Sequence, residues 1–153
     1  MRYWAMILIA FPLLAATDVP TKEISREKVL SEGPEWRQNY DGFNPDPEKI
    51  EALKAKIGTG LRIDVYLGLW CPDSRNNVPP FLKIMELTGS AVPVRYISVG
   101  RKPVAQIRYY VNAVRVERVP TFIFYRDDRE IGRIVENPEA GLIEDTIAIL
   151  SHS

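Results

Sequence analysis

Between residues 61 and 85 the chain switches from the two-residue alternation of a strand to the three-and-four spacing of a helix, and its single cysteine stands at the switch. Leu61, Ile63, Val65, Leu67 and Leu69 alternate with Arg62, Asp64 and Tyr66, which predicts a strand. Val78, Phe81, Leu82 and Met85 recur at i, i+3, i+4 and i+7, which predicts a helix running to about Gly89. Between them lie Trp70-Cys71-Pro72-Asp73-Ser74. Pro72 and Asp73 suit a helix first turn, so the helix N-terminus falls at Cys71. Unpaired backbone N–H groups and the positive end of the helix dipole there favour a thiolate. The alternative for a free cysteine is a small buried hydrophobe. Pro79-Pro80 within the helix predicts a kink, because each proline removes a hydrogen bond.

The other elements follow from the same periodicities. Residues 21–32 suit a short polar helix stopped by Gly33-Pro34, and Trp36, Tyr40 and Phe43 then form a segment aromatic enough to pack onto a domain. Asp46 as N-cap and Pro47 at the first helical position open a helix whose Ile50, Leu53 and Ile57 share a face. Residues 94–99 predict a strand, 103–112 a helix with Ile107, Tyr110 and Val111 inward, and 121–125 an uninterrupted apolar strand. Asp127-Asp128 turns this strand into an antiparallel partner over 130–135. Pro138 opens a last helix with Leu142, Ile143, Ile147 and Leu150 on one face. This order predicts an α/β domain with a central mixed sheet of about four strands and helices on both faces, preceded by an N-terminal extension. Right-handed crossovers make the first strands parallel and leave the hairpin strand at one edge. In such a sheet binding groups collect at the carboxyl ends of the strands, and Cys71 is at such an end.

Lysine plus arginine and aspartate plus glutamate both total 20, so the net charge is zero and no basic surface for nucleic acid is implied. Met1-Arg2 precedes an apolar run over residues 3–16, short of the roughly 20 residues that span a bilayer as a helix. Residues 1–17 are therefore expected to be a signal peptide, or else an uncleaved anchor, which is the one route to a membrane partner. No cysteine follows the run to carry a lipid. The expected organisation is residues 1–17 as leader, 18–45 as extension and 46–150 as the domain. Export to the bacterial periplasm or cell envelope would be expected to bring paired cysteines, yet one cysteine cannot form an internal disulfide. His152, the only histidine, has no assigned role, and serine hydrolysis at Ser74 has no base.

Over residues 46–150 the sequence resembles the thioredoxin superfamily. The resemblance rests on Trp70-Cys71-Pro72-Asp73-Ser74 after a strand, Pro79 in the next helix, and Val119-Pro120-Thr121 before a later strand. It implies a thioredoxin-like fold with Cys71 as attacking nucleophile and Pro120 as a cis proline facing it. Trp70, Pro72 and Val119 would help bind an extended substrate, with Val119 supplying backbone. The chain departs from the family at two positions: Ser74 stands where the second cysteine of Cys-x-x-Cys belongs, and Val65 where a buried aspartate would deprotonate that cysteine. Asp64 alternates onto the opposite face. Ser74 is then expected to hydrogen-bond the Cys71 sulfur. Asp73, Arg75 and Arg118 are candidates for tuning its charge, the alternative for the arginines being solvated surface charges.

The expected function is that of an exported monothiol protein acting through Cys71 in thiol–disulfide exchange, isomerisation or removal of small-thiol adducts. Its partners would be thiol- or disulfide-containing proteins. It would need no cofactor or metal beyond a small thiol such as glutathione, or the substrate's own cysteine, to resolve the mixed disulfide. The alternative is a non-catalytic thioredoxin-fold binding or scaffold protein using the groove beside Pro120. Ligation of a metal cluster by Cys71 of two subunits is a weaker third option.

Overall fold

The computed structural model describes residues 20–101, 109–111 and 114–152, so the expected leader lies outside the described residues. The chain runs β1 (Thr21–Ile24), α1 (Arg26–Leu30), α2 (Pro34–Gly42), α3 (Pro47–Lys54), β2 (Leu61–Leu67) and α4 (Pro72–Leu87). It continues with β3 (Val94–Val99), β4 (Tyr109–Val111), β5 (Val114–Val116), β6 (Thr121–Arg126), β7 (Arg129–Val135) and α5 (Leu142–Ser151). Five strands form one sheet in the order β1-β3-β2-β6-β7. β2 and β3 are parallel, and the other three pairings are antiparallel. This is the mixed α/β, thioredoxin-like arrangement expected, with five strands in the sheet where about four were expected, because β1 of the N-terminal extension adds to its edge.

The alternation of β2 divides the interior into two layers. Ile63, Val65 and Leu67 face a large cluster with Phe81 of α4 and Phe122 and Phe124 of β6. The Phe81 ring lies 4.7 Å from Phe122 and 6.3 Å from Phe124, which seats α4 across the centre of the sheet. Every helix among the described residues buries side chains in this layer, from Val29 and Trp36 to Leu150, so the helices expected on both faces lie, among the described residues, on one. Tyr66 faces the other way, with Ile97, Val99, Val116, Ile123 and Tyr125.

Three further expectations are corrected. Residues 21–24 form a strand, not the start of a polar helix: they pair with β3 from Thr21↔Val99 to Ile24↔Tyr96. The helix begins after them, where the Ser25 hydroxyl accepts from Lys28 N. The helix expected over 103–112 is replaced at 109–111 by β4, paired with β5. Tyr-Tyr-Val and Val-Arg-Val are aromatic and β-branched segments that suit a pleated surface. Residues 102–108 lie outside the described residues, as does the inward placement expected for Ile107, Tyr110 and Val111. Lastly, Pro138 does not open α5. Glu139 N and Ala140 N donate to the Asp145 carboxylate, and the helix starts at Leu142.

Elsewhere the sequence signals act locally. Asp46 accepts from Glu48 N as N-cap of α3, and Asp127 and Asp128 take φ of 49° and 62° in the β6–β7 turn. A two-residue turn with both φ values positive matches the twist of a hairpin.

Candidate functional site

α4 runs from Pro72 to Leu87 despite two internal prolines. A proline at position i leaves the carbonyl at i−4 without its helical donor. Pro79 thus frees the Arg75 carbonyl, and Asn39 of α2 fills the vacancy with an Nδ2–H bond of 2.8 Å. Docking of α2 stabilises the helix that carries the cysteine.

The junction between β2 and α4 is built from Gly68, Leu69 and Trp70. Cys71 N donates to Gly68 O at 2.9 Å, closing the turn, and Cys71 is the N-cap residue of α4 with Pro72 at the first helical position. A Cβ on Gly68 would lie 2.9 Å from the Trp70 ring and 3.1 Å from Cys71 Cβ, so any larger residue there would have to displace the Trp70 ring. Gly68 is a site residue that the motif reading omitted; its place directly after a strand was the available signal.

Across the junction, Val119–Pro120 is a cis peptide bond. Thr121 Oγ1 donates to Arg118 O at 2.6 Å and Glu136 N to Pro120 O at 2.7 Å. The Cys71 thiol donates to Val119 O at 3.2 Å, so the sulfur and the cis-proline turn are in direct contact. Cys71 is buried, 7% exposed.

The other expected residues divide around this pair. Trp70 stands at the surface, 39% exposed, with its indole N–H donating to Val99 O at 3.0 Å. The Arg101 guanidinium lies 5.4 Å from the centre of its ring. Pro72 is exposed, Asp73 is half-buried in the first turn, and Val119 is half-buried against the smaller apolar cluster. Ser74 is fully buried, and its hydroxyl accepts from Gly68 N at 3.1 Å instead of bonding the sulfur as expected. The reason is geometric: one turn into the helix, Ser74 faces the sheet beneath the junction, where the Gly68 amide needs an acceptor.

Neither arginine is directed at the sulfur. Arg75 lies 3.9 Å from Glu35, and Arg118 donates to Glu136 at 2.6 Å. The hydrogen bond it donates to Glu136 raises the pKa of the Arg118 guanidinium above its ordinary value. Val65 is fully buried in the apolar layer, in the place of the family's acid. Asp64 is buried on the opposite face, 2.6 Å from Arg62 and 3.7 Å from Arg95.

Glu136 and Asn77 are two further residues that the motifs did not mark. Glu136 takes a φ of 58° and pairs with Arg118. Asn77 Nδ2 donates to Asp73 O and Glu136 O, each at 3.1 Å, and to Asn137 Oδ1 at 3.0 Å. These bonds tie the first turns of α4 to the segment after β7.

A family model described as thioredoxin matches residues 21–143. Among solved structures, a protein of unknown function from Pseudomonas aeruginosa is 22% identical, over 76% of this chain and 80% of that one, with a TM-score of 0.54. An HIV epitope-scaffold is 19% identical, over 80% of this chain and 86% of that one, with a TM-score of 0.59. A thioredoxin from Aeropyrum pernix is 22% identical, over 69% of this chain and 84% of that one, with a TM-score of 0.40. No curated protein matches the chain. At these identities the likeness to the first two structures is one of fold.

Proposed function

The chain belongs to the thioredoxin family, and from that premise we propose that it is an exported, monothiol member that performs thiol–disulfide exchange through Cys71. The observation that carries this reading is the 3.2 Å contact between the Cys71 sulfur and the carbonyl of cis Val119–Pro120, at the N-terminus of α4 and in a chain with one cysteine.

In the proposed step the Cys71 thiol gives its proton to solvent and its sulfur attacks one sulfur of a substrate disulfide. A Cys71–substrate disulfide forms, the substrate S–S bond breaks, and the other sulfur leaves as a thiolate. With serine at position 74 no internal thiol can attack this adduct. It persists until a small thiol of the glutathione class, or a second cysteine of the substrate, takes the substrate sulfur and releases Cys71. Resolution by the substrate's own cysteine makes the reaction an isomerisation. A small thiol that takes the substrate sulfur leaves a mixed disulfide, which a second small thiol reduces, releasing the small-thiol disulfide. An existing small-thiol adduct is stripped when Cys71 takes the small-thiol half, the substrate leaves as a thiolate, and a further small thiol frees Cys71 as the small-thiol disulfide.

The test is a trap that needs no engineered variant. The full chain, expressed in cells, is expected to carry partner proteins in adducts that run as shifted bands on non-reducing gels and vanish with reductant. Mass spectrometry of those bands identifies the partners, and fractionation of the same cells reports whether the chain is exported. Wild-type protein without reducible adducts would count against the reading. The low exposure of the sulfur favours a second reading, a groove that binds partners without turnover. On that reading Cys71→Ala keeps the protein's cellular effect; on the first it loses it.

A further inference from the structure

Glu136, the residue that follows β7, holds the cis-proline turn by both its backbone and its side chain. Its φ of 58° is left-handed, a conformation that glycine adopts without cost and other residues rarely take. A glutamate kept there is expected to be held by its surroundings. Three bonds do so. Its N–H donates to Pro120 O at 2.7 Å, its carboxylate accepts from Arg118 at 2.6 Å, and its carbonyl accepts from Asn77 of α4 at 3.1 Å. Two of the three end on the residues flanking Val119, and the third on the helix that begins at Cys71.

We propose that Glu136 is a positioning residue: through Arg118 it fixes the Val119 carbonyl and the cis-proline turn at the distance from Cys71 that an extended peptide disulfide requires. The inference rests on the thiol-exchange reading above. When the sulfur attacks, its bond to Val119 O is given up, and that carbonyl becomes available to a peptide N–H. A small reagent without a peptide backbone makes no use of the carbonyl. The clamp therefore separates the two kinds of substrate.

The experiment compares two disulfides on the full chain. One is dithiobis(nitrobenzoate). The other is a short peptide whose single cysteine is linked to thionitrobenzoate. Attack by Cys71 forms its disulfide to the retained half and expels the coloured thionitrobenzoate anion in both cases, the better leaving group departing. Glu136→Gly keeps both backbone bonds, relieves the left-handed strain and removes only the carboxylate. It is expected to slow the peptide reaction by about five- to tenfold, short of the roughly hundredfold that a 1 Å misplacement brings. The small-reagent rate should stay within about twofold, and the unfolding temperature should hold or rise. Glu136→Gln, which keeps an acceptor for Arg118, should restore most of the peptide rate, and Arg118→Gln added to Glu136→Gly should cost little more.

Equal losses on both disulfides, or an unchanged peptide rate in Glu136→Gly, would overturn the inference while leaving Cys71 chemistry standing. A wild type that reacts with neither disulfide would instead remove the thiol-exchange reading itself.

Discussion

Ser74 shows how one atom separates this site from a dithiol one. Its hydroxyl is fully buried and supplies the acceptor for Gly68 N at the base of the turn. Ser74→Ala leaves that amide buried and unpaired, so denaturant unfolding is expected to show a loss of about 1–3 kcal/mol. Ser74→Cys is expected to leave the fold intact and make position 74 a resolving thiol, so partner adducts on non-reducing gels should fall sharply. If the adducts are as abundant in Ser74→Cys as in wild type, position 74 does not communicate with the sulfur at 71. The motif was legible here because Trp70-Cys71-Pro72-Asp73-Ser74 is one contiguous run. The bond that Ser74 makes was not, since its partner belongs to the preceding strand's exit and not to the helix.

Among the elements, α4 is the one whose sequence and structure pull in different directions. Pro79 and Pro80 oppose a helix that Val78, Phe81, Leu82 and Met85 otherwise define. Burial of that face against β2 and β6 wins, and Asn39 meets the Arg75 carbonyl left open by Pro79. Asn39→Ala should therefore cost on the order of 1 kcal/mol in chemical denaturation. In a Pro79→Ala background, where the helix regains its own donor, the same change should cost almost nothing. Equal costs in the two backgrounds would mean that Asn39 acts elsewhere. Helical periodicity gave the existence of α4 from sequence alone, but its continuity depends on a side chain 36 positions upstream. β1 is the converse case. Four residues with no apolar alternation become a strand only because β3 offers them a ladder.

At the scale of the whole molecule, the two apolar layers set how the fold responds to alkali. Burial raises the Tyr66 hydroxyl to about 12, with the nearby Asp64 charge adding to it. Burial also moves Tyr96 and Tyr125 upward. A phenol whose folded value lies above its unfolded value of roughly 10 stays protonated in the native state while the unfolded chain has begun to ionise. Its stabilising contribution is complete below about pH 10 and is lost as the pH rises from there toward 12. The urea midpoint is thus expected to fall across that interval, and Tyr66→Phe should flatten the fall. A midpoint that is level to pH 12 in wild type would show that the smaller layer is open to water.

The strands read at 61–69 and 121–125 and the helix after Cys71 were legible, because each is a local matter of period or cap, whereas the cis form of Pro120 was implied only by the resemblance of Val119-Pro120-Thr121 to a family motif. The sequence alone also excludes an internal disulfide, since it holds one cysteine. Only the tertiary structure decided that the sulfur meets the Val119 carbonyl, that Arg75 and Arg118 are occupied by Glu35 and Glu136, and that Asp64 is buried beside Arg62. These contacts join residues far apart in the chain, and no local propensity encodes which distant group will satisfy a charge or a carbonyl once the apolar layers have closed.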